Sequence, residues 1–107
     1  MITYYFRSIK EDSLQKIDSL RPGTWVHAEN PTPDELDLLV ERCGIERDLL
    51  QDAMDLYEVP RFETWEQVSY FYIRFPHETQ NDLGTVPILL AVTPQSDVTV
   101  ARTHTAF

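Results

Sequence analysis

The sequence holds one cysteine, three glycines, three scattered histidines and nine basic residues against eighteen acidic ones. Each scarcity excludes something. A lone Cys43 rules out an internal disulfide and fits a reducing compartment. With so few glycines there is no Gly-rich phosphate loop and no G-x-S-x-G nucleophile elbow. His27, His77 and His104 lack the spacing of a zinc site. The shortage of basic residues disfavours nucleic acid and anionic membrane surfaces, since both need a basic patch. No long apolar run is present either. The longest, "VPILLAV" at 86–92, is far too short to span a bilayer. The opening "MITYYFRS" has no basic start followed by an apolar stretch, so no secretory signal is expected and the chain reads as soluble.

What is present suits one α/β domain over residues 1–107, with 42% hydrophobic residues, too many for a disordered acidic tail. The charge is localised. From Glu29 to Glu66 there are twelve acids against Arg42, Arg47 and Arg61, and the remaining six acids and six bases balance. The whole net charge of −9 therefore sits in the middle of the chain. Metal cations or basic partner surfaces are its natural complements.

"ITYYF" (2–6) predicts a strand, "EDSLQKIDSL" a helical turn and "TWVHAE" (24–29) a second strand. Thr32, Pro33 and Glu35 form a capping box with proline at the first helical position. Leu36, Leu39, Val40 and Cys43 make one apolar helix face, which Gly44 ends, with Ile45 folding back towards Val40. A second helix is predicted from Glu46 to Leu56, burying Ile45, Leu49, Leu50, Ala53, Met54 and Tyr57. Strands follow over 61–65, 67–75, 85–93 and 97–103, with "HETQND" (77–82) as a polar hairpin loop and "PQSD" as a turn. Trp25 and Trp65 read as core or sheet-edge aromatics. Phe71, Ile73 and Phe75 alternate with Tyr70, Tyr72 and Arg74, so this strand is apolar on both faces. Such strands need cover on both faces. Two helices scarcely cover one side of a sheet of about six strands, so a partner or further polypeptide is expected on the other.

The candidate site is an acidic stripe. Asp48, Asp52 and Asp55 fall on the solvent side of the second predicted helix. Like charges a turn apart destabilise a helix by roughly a few tenths of a kcal/mol per pair. Asp55 also lies near the negative end of the helix dipole. A solvated surface tolerates this, which is the simplest explanation. The functional alternative is a hard-cation site, in which Mg²⁺ takes one or two carboxylates and keeps its waters.

The run from Thr24 to Arg102 resembles the N-terminal cytoplasmic domain of CorA-type magnesium and cobalt transporters. The residues that carry it are Trp25, then Asn30-Pro31-Thr32 with Glu35-Leu36, then Leu49 with Asp52 and Asp55, then Pro60-Arg61 with Glu63. The resemblance implies an αβα sandwich, here truncated, built on a mixed β-sheet with helices on both sides. In the family that domain leads into a long stalk helix and two membrane helices with a Gly-Met-Asn signature, none of which is in this sequence. The family forms homopentamers. Mg²⁺ or Co²⁺ bound between neighbouring cytoplasmic domains holds the pore closed. The first aspartate of the second helix is a ligand there, and it matches Asp52. An acid often precedes it, where this chain has Gln51.

The resulting expectation is a regulatory and structural cytoplasmic domain of a CorA-like divalent cation transporter, not an enzyme. Asp52 would be the metal ligand, with Asp48 and Asp55 adding negative field. The fragment itself would contact neither nucleic acid nor membrane, while the full-length protein would sit in the cell membrane. The rival from another class is a stand-alone acidic interaction domain that completes its sheet with a partner. A small hydrolase using carboxylates is a third reading, which would need a deep pocket and a carboxyl with a raised pKa.

Overall fold

A computed structural model describes residues 1–7, 14–79 and 82–103. Seven strands form one mixed sheet. They are β1 (Ile2–Phe6), β2 (Gln15–Ile17), β3 (Thr24–Glu29), β4 (Arg61–Trp65), β5 (Val68–Thr79), β6 (Asp82–Val92) and β7 (Ser96–Ala101). The spatial order is β2-β1-β3-β7-β6-β5-β4. Every neighbouring pair is antiparallel except β3 with β7. Two helices, α1 (Pro33–Cys43) and α2 (Arg47–Asp52), connect β3 to β4.

The register sorts the side chains into two faces. Tyr4, Val26, Val98, Ala91, Tyr70 and Glu63 lie in one cross-strand row. On that face Val26, Val98, Val100, Leu89, Tyr70 and Tyr72 pack with Leu39, Cys43, Ile45, Leu50 and Ala53 from the helical segment. This is the core. The opposite face carries Trp25, Leu90, Phe71, Ile73, Val92 and Phe62, and no described helix covers it. Phe62, Phe71, Ile73 and Val92 are 57%, 37%, 43% and 38% exposed. The cover anticipated from the two-sided apolar pattern of residues 70–75 is therefore absent from the described residues on one side only.

The α1 start forms as its sequence requires. Thr32 accepts from Glu35 N–H, and the Glu35 carboxylate accepts from Thr32 N–H at 3.0 Å. At the other end Gly44 adopts the left-handed conformation, φ 75°, and the N–H groups of Gly44 and Ile45 return to the Leu39 carbonyl. A left-handed turn is cheap only for a residue without Cβ.

Four expectations are corrected. The predicted helical turn within "EDSLQKIDSL" is in its described part the edge strand β2, paired with β1, while residues 8–13 lie outside the described residues. Leu14, Ile17 and Leu20 have helical spacing, but the stretch is too short for that pattern to hold a helix, and hydrogen bonding to the free edge of β1 decides. Strand pairing also runs through most of "HETQND", since β5 continues to Thr79 and β6 begins at Asp82. The second helix stops at Asp52 instead of Leu56. Its end carries carboxylates and no basic residue, which opposes the helix dipole. Ala53, Met54 and Asp55 continue as tighter turns, each N–H reaching a carbonyl three residues back. Tyr57 consequently lies outside the core and is 87% exposed.

Candidate metal site

α2 is only six residues long and is held from outside. The Glu46 side chain caps it by accepting from Leu49 N–H. Two buried tyrosines of β5 pin it to the sheet. Glu46 N–H donates to the Tyr70 hydroxyl, and the Tyr72 hydroxyl donates to the Leu49 carbonyl. Burial raises the Tyr70 pKa and pushes that of Tyr72 up to about 12. The segment after α2 is fastened by arginines. Arg74 Nη1 donates to the carbonyls of Leu56 and Glu58, and Arg102 Nη1 to that of Met54. These bonds fix the turn that follows α2 and leave the last carbonyls of the helix itself without a cationic partner among the described residues.

The three predicted aspartates are separated by this geometry. Asp48 is exposed in the first turn of α2, and Asp52 is its last residue, one turn on. Asp55 lies beyond the helix, and its Oδ1 accepts from Tyr57 N–H at 2.9 Å, a local turn contact. Asp52 has a strong partner. Arg61 Nη2 donates to Asp52 Oδ2 at 2.7 Å, while no hydrogen bond to Oδ1 is found among the described residues. The Asp52 side chain keeps 46% of its exposure.

Arg61, whose role the sequence leaves open, is the partner that the fold supplies to Asp52. It opens β4 opposite Tyr72, and its guanidinium lies 4.3 Å from the centre of that ring. Nε stands 3.3 Å from Glu58 Oε1 and Nη1 stands 3.5 Å from Glu63 Oε1. Nε is buried without a well-aligned hydrogen bond, so the Glu58 contact is a charge contact only. The hydrogen bond to Asp52, with lesser help from Tyr72, Glu58 and Glu63, outweighs desolvation and holds the guanidinium proton more firmly than usual. The signal in the sequence was Pro60-Arg61 itself, one of three arginines among twelve acids, but it lies nine positions from Asp52. Only the turn after α2 brings the two together.

The donor chemistry suits a hard cation: Asp52 offers one free carboxylate oxygen beside the exposed Asp48. Among the described residues, no three His, Cys, Asp or Glu side chains are gathered so as to hold a metal by themselves. A groove of about 830 Å³ lies elsewhere, between the end of α1 and the β4–β5 and β6–β7 turns, and none of the three aspartates lines it. No described helix is long and apolar enough to cross a membrane.

The profile of the CorA-like Mg²⁺ transporter protein family matches residues 23–106. No curated protein matches in sequence. The fold matches the soluble domain of CorA from Methanocaldococcus jannaschii with a TM-score of 0.79 and 23% identity, over 97% of this chain and 41% of that one. It matches the complete CorA magnesium transporter of the same organism with a TM-score of 0.76 and 22% identity, over 94% of this chain and 32% of that one. The full-length CmaX protein matches with a TM-score of 0.71 and 10% identity, over 98% of this chain and 35% of that one. This chain thus spans less than half the length of each structure. The mixed sheet with its two helices is the α/β fold of a CorA soluble domain, and the chain belongs to the CorA-like Mg²⁺ transporter family.

Proposed function

We propose that this chain is a regulatory and structural cytoplasmic domain of a divalent cation transporter, sensing Mg²⁺ or Co²⁺ at a boundary between subunits. The observation that carries this reading is the state of Asp52. It is a half-exposed carboxylate with one oxygen held by Arg61 and the other without a hydrogen bond among the described residues, in a region with a net charge of −9. Asp48, one turn before it, adds a second carboxylate to the same helix. One or two carboxylates plus retained waters are a usual Mg²⁺ set. The remaining ligands would come from a neighbouring subunit or stalk helix of a homopentamer. A cation there offsets repulsion between acidic surfaces, and its loss lets the subunits separate and biases the pore open. The apolar open face of the sheet would be covered by the helices that complete the family's αβα sandwich.

A Co²⁺ titration followed by ¹⁵N-¹H spectra tests the ligand. Paramagnetic broadening should centre on Asp52 and vanish in Asp52→Asn. Broadening centred elsewhere removes Asp52 from the role.

The exposed Phe62, Phe71, Ile73 and Val92 also favour a second reading, an acidic interaction domain that completes its core with a partner. That reading predicts a stable hetero-complex indifferent to millimolar Mg²⁺.

A further inference from the structure

Arg61 occupies an unusual electrostatic position. Its guanidinium faces three carboxylates, those of Asp52, Glu58 and Glu63, at 2.7, 3.3 and 3.5 Å. The three contacts are unequal. Nη2 makes a short hydrogen bond to Asp52, whereas the contacts to Glu58 and Glu63 are longer charge contacts. Three negative charges against one positive leave the cluster two negative charges in excess, the charge of one divalent cation. The guanidinium also rests on the Tyr72 ring, and the Tyr72 hydroxyl reaches Leu49, one turn before Asp52. The base on which Arg61 lies is therefore fixed to the same helix that carries Asp52.

We propose that Arg61 is a built-in competitor for the cation at Asp52. This rests on the reading of Asp52 as a metal ligand and adds how that ligand is regulated. Without a divalent cation, the guanidinium neutralises Asp52. When Mg²⁺ takes the carboxylate, Arg61 gives up one hydrogen bond and moves the short distance to Glu58 and Glu63, staying on the Tyr72 ring. Its charge is never left unpaired, so the exchange has a small net cost. The consequence is a weakened affinity. A carboxylate already neutralised through one oxygen by a tethered cation takes up a second cation only when that cation is abundant, which suits a sensor of a plentiful ion.

The test compares Mg²⁺ binding, followed by ¹⁵N-¹H shifts of the chain, in wild type and four variants. In wild type the Arg61 Nε–H resonance should move along the same titration curve as the Asp52 amide. Arg61→Gln removes the competitor and should tighten Mg²⁺ binding about tenfold, the scale of one charge-assisted hydrogen bond discounted for exposure. Arg61→Lys keeps the charge without the fork and should fall between the two, which holds the test open if the Gln variant folds poorly. Arg47→Gln removes an equal charge from the first turn of α2, where Arg47 pairs with Asp37 at 2.9 Å. It should change affinity by less than about threefold. If Arg61→Gln gains no more than Arg47→Gln while Asp52→Asn abolishes binding, the competitor role is wrong and the metal reading stands. If Asp52→Asn leaves Mg²⁺ affinity unchanged, the metal reading falls and the competitor role with it.

Discussion

The turn between β4 and β5 offers the sharpest test of the physical reasoning. Trp65 pairs with Val68, so Glu66 and Gln67 form a two-residue hairpin connection. Both have positive φ, 47° and 70°. That is the backbone twist such hairpins favour, but it is normally built from Asn-Gly. A side chain held in the left-handed region costs about 1–2 kcal/mol. Glycine at 67 removes that cost and returns about 0.5–1 kcal/mol as extra freedom of the unfolded chain. Asparagine at 66 adds a few tenths of a kcal/mol. The double variant Glu66→Asn, Gln67→Gly should therefore be more stable by about 1 kcal/mol, or roughly 4–8 °C in Tm for a domain of this size. Both side chains are exposed and no hydrogen bond to either is described, so little is lost with them. Thermal unfolding by circular dichroism measures the shift, with Gln67→Ala as control. Alanine keeps the Cβ and its cost, so Tm should stay within about 2 °C of wild type. Equal gains from Ala and Gly, or a loss from the double variant, would refute the conformational argument.

Three further outcomes are expected. Glu35→Gln should lower Tm at pH 7, because the carboxylate is held below its ordinary 4.5 by hydrogen bonds from the Met1 amino group and Thr32 that outweigh desolvation. With its folded pKa depressed, the stabilisation is full above the unfolded value and is lost as pH falls through the folded one. The difference between variant and wild type should thus shrink in melts taken down to pH 3 or so. Tyr72 acts in the alkaline direction. Its hydroxyl is pushed up to about 12 by burial, so the unfolded chain ionises first and stability falls as pH rises from about 10. Tyr72→Phe should flatten that fall in chemical denaturation series while costing about 1 kcal/mol at neutral pH through the lost bond to Leu49. On the open face, Phe62→Thr with Ile73→Thr should reduce dye binding to exposed apolar surface and change stability by less than about 1 kcal/mol, since both side chains are half exposed. A large destabilisation would show that this face is packed.

The legible parts of the sequence were those where a few adjacent residues settle the matter. Thr32-Pro33-Asp34-Glu35 announces a helix start because the capping bonds close within one turn. Gly44 announces its end because few other residues take that φ cheaply. The alternation at 70–75 announced a sheet with two apolar faces, one of which the structure leaves open. The acidic concentration and the order of the motifs from Trp25 to Glu63 pointed to the family that the comparisons show. The tertiary structure decided where competing local preferences were close. β2 became a strand because β1 had an edge to pair, and α2 ended at Asp52 because the charge at its end is unfavourable and Arg74 and Arg102 donate to the carbonyls of the turn that follows it. Above all it decided the surroundings of Asp52. A carboxylate at a helix end has no fixed partner in the sequence; the turn after α2 and the register of β4 on β5 set Arg61 against it, over the Tyr72 ring.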